Sequence, residues 1–531
     1  MYRILVSDPL HEAGLHLLEE SGHHIDVLAP EDKPQLGERL GDYDAIVVRS
    51  STKLTADLLR QGTRLKVVAR AGIGVDNIDV GTATELGILV VNSPTANLLS
   101  ATEHTFALLL GMMRHIPAAD ASMKAGEWDR KSFVGAELQG KTLGVVGFGQ
   151  IGQRVAERAK AFDMRVVAHD PYLDPAMGER LEVELAALED LLAQADVVTV
   201  HVPLTDQTRD LIGADEIGAM KPGARLVNCA RGGIVNEPAL LEALDAGRLA
   251  GAAVDVFSQE PPVDRRLAEH PLVVATPHIG AQTREAQERI ARETVKMLLS
   301  SLYGSLAVTA VNLPFRGTPK RGEPYLALGE QLGRLASSQL GGSVSRLQVD
   351  LWGVEEALRT PVTVAAVKGA LMPYLGETVN YVNAERLARA RGVELVRATH
   401  GESAEYPHLI GVTMVGERSG GGAAEIEISG TVFGDRDPRV VRFGGFQLEF
   451  RPEGRLLVLH NEDVPGVVGR IGTLLGEAGI NIADIHLART DTKDEAMAVL
   501  RLDQVPGRRV LEAIGQLAEM KAVELVDLGS R

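Results

Sequence analysis

The run Leu143-Gly-Val-Val-Gly147-Phe-Gly149-Gln-Ile-Gly152 constrains the fold of this chain more than any other stretch. Apolar, β-branched residues deliver the backbone into a G-x-G-x-x-G turn, and helix-forming residues continue from it, so a strand, a tight turn and a helix must follow one another. Each glycine has its own reason. Gly147 permits the turn, Gly149 lets backbone N–H groups approach a pyrophosphate, and Gly152 allows close packing of helix on strand. The helix N-terminus then faces the anion. Asp170 closes the next strand-like run, Arg165-Val-Val-Ala168, where a carboxylate accepts hydrogen bonds from ribose hydroxyls and repels a 2′-phosphate. The stretch therefore predicts a dinucleotide site that takes NAD rather than NADP.

The surrounding pattern is α/β. Before residue 97, short strand-like runs alternate with helical stretches: Arg3-Ile-Leu-Val6, His24-Ile-Asp-Val-Leu28, Asp44-Ala-Ile-Val-Val48, Leu65-Lys-Val-Val-Ala69 and Ile88-Leu-Val-Val91. Asn97 to Ile116 reads as one helix, apolar on more than one face, which predicts a subunit interface. A second series runs from Leu143 to about Gly280, with strands at Arg165–Ala168, Asp196–Val200, Arg225–Asn228, Gly251–Val254 and Leu272–Ala275. The expectation is two doubly wound, Rossmann-like parallel-sheet domains. Thr283–Leu302 reads as a long helix, and Phe315–Pro324 is the best linker. Residues 325–450 mix helix and strand patterns around a glycine cluster, Gly420–Gly422, and carry no chemical motif. From Arg455 the pattern becomes a small split βαββαβ module.

Bulk properties exclude several classes. A formal net charge of −17 argues against nucleic acid or anionic lipid as partner, so an anionic substrate needs a local cationic pocket. One cysteine, Cys229, excludes a disulfide framework and a multi-cysteine zinc site, and suits a reducing compartment. No metal site is expected. The start, Met1 to Asp8, is a strand-like run ending in an acid, with no signal-peptide core, and no membrane-length apolar run follows, which predicts a cytoplasmic protein.

Three ionisable residues stand just past predicted strand ends, where open α/β sheets hold ligands: Arg231 in Cys-Ala-Arg-Gly-Gly, Glu260 in Asp255-Val-Phe-Ser-Gln-Glu-Pro, and His278 in Pro-His-Ile-Gly-Ala. Oxidising a secondary alcohol needs a base, and histidine titrates closest to working pH. A neighbouring carboxylate orients the ring, and a guanidinium holds a substrate carboxylate through two parallel hydrogen bonds. Taken singly, each residue also has an ordinary reading as a loop or surface group. Their joint placement favours chemistry.

These segments, with the glycine turn and Asp170, resemble the D-2-hydroxyacid dehydrogenase family over residues 1–313. The resemblance implies catalytic Arg231, Glu260 and His278, with Glu260 paired to the histidine. It sets Gly147, Gly149, Gln150, Ile151, Gly152, Asp170, Val202, Cys229, Ala230, Arg231, Asp255, His278, Gly280 and Ala281 against NAD, with Asp255 near the nicotinamide. It further implies a discontinuous substrate domain, 1–97 plus 284–313, around an NAD domain, 98–283, with the cleft between them.

Arg49-Ser50-Ser-Thr-Lys53 and Arg130-Lys131 offer cations for a phosphorylated acid, although such clusters are usually solvated surface. Together with Arg70-Ala-Gly-Ile-Gly-Val-Asp76 they resemble the phosphoglycerate-oxidising branch of the family, with one departure at Ile73, where relatives carry a polar residue. By the same match Asn97 touches substrate. Residues 314–451 look like that branch's intervening domain, and 452–531 like an ACT domain, which binds small effectors between paired copies. Asn461, Asp463 and Asn481 would supply the polar contacts to L-serine, unless the module is a tail without ligand. The resemblance implies oxidation of 3-phospho-D-glycerate to 3-phosphooxypyruvate, the first step of phosphorylated serine biosynthesis, by a homodimer or homotetramer. Rivals are a glyoxylate, hydroxypyruvate or D-lactate reductase, and a nucleotide-sensing scaffold.

Overall fold

Aliphatic residues dominate four of the first five strands, β1 (Arg3–Val6), β3 (Ala45–Val48), β4 (Val67–Arg70) and β5 (Leu89–Asn92), while β2 (His24–Val27) alternates polar and aliphatic. In the computed structural model they pair in parallel in the order β2-β1-β3-β4-β5. Strands covered on both faces read as continuous apolar runs, and β3 is buried at all four positions. The structure describes residues 1–173, 175–304, 310–315, 320–403, 405–418, 421–490 and 494–529. By contacts the chain divides into two units: Met1–Pro9, Leu18–Asn92 and Thr294–Arg531 form one, Leu10–Leu17 and Ser93–Glu293 the other.

The second unit is built on a seven-stranded parallel sheet: β6 (Thr142–Val146), β7 (Arg165–His169), β8 (Glu184–Leu185), β9 (Val197–Val200), β10 (Ala224–Asn228), β11 (Leu249–Val254) and β12 (Val273–Ala275). The order β12-β11-β10-β9-β6-β7-β8 reverses at β6, which opens a crevice at the carboxyl ends of β6 and β9. The two-residue β8 is too short to leave a periodic signal in the sequence. The helix expected from Asn97 to about Ile116 forms as Leu98–Met113; His115 then takes φ +52, and a second helix, Ile116–Lys124, begins. The apolar surplus of the first is used at home, because Phe106, Leu108, Leu109, Met112 and Met113 are buried with Leu143, Val145, Val155 and Ala253. Only Leu99 of that helix stays exposed as a large apolar residue.

The rest of the first unit begins with the helix Arg284–Leu302, in which the boundary between units falls. Residues 316–319 of the expected linker and Gly420 of the glycine cluster lie outside the described residues. A mixed sheet follows, β13 (Val344–Trp352), β14 (Glu394–His400), β15 (Leu409–Glu417), β16 (Ala423–Phe433), β17 (Asp437–Phe443) and β18 (Phe446–Phe450), in the order β14-β13-β15-β16-β17-β18. Helices Glu323–Leu340 and Glu356–Leu375 supply much of its core. The last module is β19 (Arg455–Glu462), helix Val467–Glu477, β20 (Ile482–Arg489), β21 (Glu495–Leu502), helix Arg508–Gly515 and β22 (Met520–Asp527), the βαββαβ pattern expected. Its sheet is antiparallel, β20-β21-β19-β22.

Two seams join these parts within the first unit. Phe443 and Phe450 of the mixed sheet share one buried cluster with Met497, Val499 and Val526 of the last module. Asn380 Nδ2 donates to Gly87 O at 2.7 Å, and Arg386 pairs with Glu85, which fastens the mixed-sheet part to the turn before β5. Gly87 has φ +72, and a Cβ there would lie 2.6 Å from both Asn380 Nδ2 and Asn383 Nδ2. Among the described residues no helix is long and apolar enough to cross a membrane.

Glu524 on β22 sits in the first of these seams, accepting from Gln339 Nε2 at 2.6 Å. Burial pushes its carboxyl up to about 7, against the pull of Arg418. An unfolded glutamate ionises near 4.3, whereas the folded one resists until about 7. Stability is therefore lost as pH rises between those values and is not regained above them. Glu524→Gln should raise the thermal midpoint by a few degrees at about pH 8, a gain on the order of 1–3 kcal/mol, and change nothing at about pH 4. Melting curves at the two pH values check this.

Candidate active site

The glycine turn folds as its residues require. Gly147 has φ +91, and a Cβ on it would lie 2.6 Å from Val202 Cγ1. A Cβ on Gly152 would lie 2.2 Å from Gly147 O, so helix Gln150–Ala161 can approach β6 only without one. Gly149 differs. Nothing lies within 4 Å of a Cβ built on it, so the space beside the helix N-terminus is open. Asp170 Oδ2 accepts from Phe148 N at 2.9 Å and Oδ1 from Tyr172 N at 3.0 Å, which holds the carboxylate at the turn's rim. An open cradle for a pyrophosphate with an acid beside it fits a dinucleotide. Gln150 and Ile151 open the helix, exposed and half-buried respectively.

The loop after β10 is fixed by a residue the sequence reading passed over. Asn228 is buried; its Oδ1 accepts from Ala230 N at 3.1 Å and its Nδ2 donates to Arg231 O at 3.0 Å. This closes Cys229-Ala230-Arg231 into a rigid turn, and Arg231 Nη1 donates to Ala230 O at 2.7 Å. Burial first, and then the charge of Asp255, pushes the Cys229 thiol up to about 12, so it is a neutral packing group.

Asp255 organises the next loop. Its side chain is 1% exposed. Oδ1 accepts from Thr276 Oγ1 at 2.6 Å and Ile279 N at 2.8 Å, Oδ2 accepts from Gly280 N at 2.8 Å, and the backbone O takes His278 N at 2.7 Å. Those bonds hold His278 at φ +55, a left-handed conformation uncommon for a non-glycine residue. His104 Nε2 lies 3.1 Å from Asp255 Oδ1 and from Thr276 Oγ1; because Thr276 gives its proton to Asp255, the ring nitrogen is the donor. Burial alone would raise the Asp255 carboxyl, but His104, Thr276 and the Ile279 amide hold it below the usual range. Ala281 O takes Gln287 Nε2 at 2.9 Å, which anchors the far end of the loop.

His278 Nδ1 lies 2.7 Å from Glu260 Oε2, with both side chains part-exposed, so the sequence-predicted pair is formed. Burial raises the Glu260 carboxyl, while His278 and the Phe257 amide more than offset that and keep it ionised. With Nδ1 taken, Nε2 is the nitrogen left for proton exchange. Asn97 stands at the start of the Leu98 helix without a side-chain capping bond, and its Oδ1 is buried without a partner among the described residues. Arg130 and Lys131 are exposed in the same unit. Arg49 and Ser50 belong to the other unit, in the loop after β3.

The three residues expected to bind an effector do not all meet. Asn461 and Arg489 both pair opposite Ala496, and Asp463 bridges Arg489 at 3.2 Å, so Asn461 and Asp463 share one end of the last sheet. Asn481 precedes Ile482, which pairs with Leu502 opposite Arg455 at the other end, and its Nδ2 donates to Asp503 Oδ2 at 2.6 Å.

Residues 106–280 match the NAD-binding domain of D-isomer specific 2-hydroxyacid dehydrogenases, 321–444 the D-3-phosphoglycerate dehydrogenase intervening domain, and 455–519 the ACT domain. D-3-phosphoglycerate dehydrogenase of Bacillus subtilis is 40% identical over 99% of this chain and 100% of its own length. The chain belongs to the D-3-phosphoglycerate dehydrogenase family. The Methanocaldococcus jannaschii protein of the same name is 41% identical over 99% of this chain and 100% of its own length. A D-lactate dehydrogenase of Aquifex aeolicus, solved with NAD and lactic acid, is 30% identical with a TM-score of 0.52, covering 57% of this chain and 96% of that one. The protein is an NAD-dependent oxidoreductase of this family.

Gly149→Ala should leave the thermal midpoint unchanged, because its Cβ meets nothing, yet weaken NAD at least about tenfold by filling the cradle. Gly152→Ala should lower the midpoint itself. Calorimetric titration with NAD beside melting curves separates the two.

Proposed function

We propose that this protein oxidises 3-phospho-D-glycerate to 3-phosphooxypyruvate, passing hydride to NAD. The observation that carries the reading is the 2.7 Å His278–Glu260 pair, hung by Asp255 from the sheet that bears the glycine turn. His278 Nε2 takes the hydroxyl proton, and Glu260 stabilises the imidazolium that results. Arg231 holds the substrate carboxylate, with its backbone fixed by Asn228. The glycine turn, Asp170, Val202, the Cys229–Arg231 turn, Asp255 and the His278–Ala281 loop would hold NAD, which when bound would supply the hydride acceptor. Arg49 and Ser50 hold the phosphate, Arg130 and Lys131 add positive charge, and the unpartnered Asn97 Oδ1 accepts from substrate. Residues 1–97 with 284–313 act as the substrate domain, 98–283 as the NAD domain, 314–451 as the intervening domain and 452–531 as the effector domain.

L-serine is the proposed effector. Asn461 and Asp463 share one end of the module and Asn481 the other, which favours a site completed by a paired copy. Homo-oligomerisation has a second support: Ile116, Met123, Trp128 and Val134 are exposed, Trp128 to 78%, in the segment after the Leu98 helix. The single cysteine and acidic surface suit the cytoplasm.

NADH absorbance with 3-phosphoglycerate and NAD tests the main claim. His278→Ala should lose roughly 10²–10⁴-fold in kcat and Glu260→Gln roughly 10²-fold, with NAD affinity retained in both. Wild type should slow on addition of L-serine. No turnover with this substrate would overturn the reading in favour of another 2-hydroxyacid. In light scattering, Ile116→Asp combined with Trp128→Ala should shift the assembly toward smaller mass.

A further inference from the structure

We propose that Asp8 is the positioning residue that shapes the Arg49–Thr52 loop for a phosphate group. This inference rests on the reading that the loop holds the substrate phosphate.

Asp8 follows β1, and its side chain is 1% exposed, an unusual place for a carboxylate. Every donor it meets ties it to that loop or to the charge beside it. Oδ2 accepts from Arg49 N at 2.6 Å and Thr52 N at 3.2 Å. Oδ1 accepts from Ser51 Oγ at 2.6 Å, Thr52 Oγ1 at 2.8 Å and Lys33 Nζ at 2.5 Å. Both amides that bracket Ser50 and Ser51 therefore end on one carboxylate. From the opposite side Asn77 Nδ2 donates to Arg49 O at 2.7 Å and Thr52 O at 2.6 Å. Two side chains thus clamp the N–H and C=O groups at both ends of a four-residue loop. Arg49 itself is steadied by donating Nη1 to Pro9 O at 3.1 Å.

A clamp of this kind has a functional reason. An arginine on a loose loop must lose backbone and side-chain freedom when it binds, and a loop fixed beforehand does not. The carboxylate raises one difficulty, since a negative group near a phosphate repels it. Lys33 removes it. Its ammonium, part-exposed, contacts both Asp8 Oδ1 and Ser51 Oγ, 2.9 Å from the latter, so the pair carries no net charge and the charge of Arg49 is left for the ligand. Burial raises the Asp8 carboxyl, but these donors hold it below the usual range, so the clamp is ionised at working pH.

The test compares two substrates of the reverse reaction that differ only in the phosphate, 3-phosphooxypyruvate and hydroxypyruvate, with NADH and the full chain. In Asp8→Asn, kcat/KM for the phosphorylated acid should fall at least about tenfold through KM, while that for hydroxypyruvate stays within about threefold. A simple loss of folding would lower both together. Equal falls, or no change, in an enzyme whose wild type prefers the phosphorylated acid overturn the role of Asp8 alone. A wild type indifferent to the phosphate overturns the phosphate reading of the loop, and this inference with it. Thr52→Val removes one buried donor while sparing both amides. It should move the same ratio at least about threefold in the same direction, and it decides the matter if Asp8→Asn yields no folded protein.

Discussion

The chemistry of the second unit hangs on one buried carboxylate. Asp255 takes Thr276 Oγ1, two consecutive backbone amides and the ring of His104, and its own backbone oxygen takes the amide of His278. A carboxylate offers about four lone-pair directions, and this one is nearly saturated. Stripping such a hub would strand several donors away from water at about 1–3 kcal/mol each, which is why the left-handed backbone of His278 persists. Helix Leu98–Met113, strand β11 and the His278 loop are made to move as one piece, because His104, Asp255 and Gly280 belong to three separate segments of chain. The His278–Glu260 pair is thereby held as a matter of framework, while its own two side chains stay part-exposed.

Much of this could be read from the chain itself. Strands β1 to β7 and β9 to β12 emerge at nearly the expected residues; the central ones do so because parallel strands buried on both faces are continuous apolar runs, as Ala45–Val48 is, whereas the edge strand His24–Val27 alternates polar and apolar residues. The glycine turn was legible for the same steric reason: a Cβ at Gly152 has nowhere to go. Glu260 and His278 were legible as candidates because their residue types suit a chemistry, and as a pair only through the family resemblance. What the chain concealed is of another kind. His104, Thr276 and Lys33 are single polar residues whose partners lie far off in sequence, and Asn228 is one that ties only the backbone groups of Ala230 and Arg231; no periodicity announces any of them. Asp8 gave a faint sign, an acid closing an apolar strand, yet nothing local said which loop it would clamp. The apolar surplus of the Leu98 helix was ambiguous, since it looks alike whether a partner subunit or the adjoining sheet covers it, and much of it is buried against β6 and β11.

Charge follows the same division between bulk and locale. A chain with a net charge of −17 should repel an anionic substrate. In the proposed reading the loop after β3 answers with Arg49, the charge of Asp8 being matched by Lys33, and the dinucleotide cradle answers with backbone amides, which carry no net charge at all. Neither device alters the overall field. Both work because the relevant distances are shorter than the screening length of physiological salt.

The shared cluster of Phe443, Phe450, Met497, Val499 and Val526 bears on how such a chain could have been assembled or could be re-engineered. Modules joined by tethers can be exchanged like beads, because each keeps its own apolar interior. Here the last module lends side chains to its neighbour's interior and borrows from it, so a scission near residue 452 would bare an oily face on both fragments. A grafted copy placed on a foreign catalytic body would arrive with half its seating missing. The transferable piece is therefore the mixed sheet and the βαββαβ module together, and natural recombination in this family should respect the same seam.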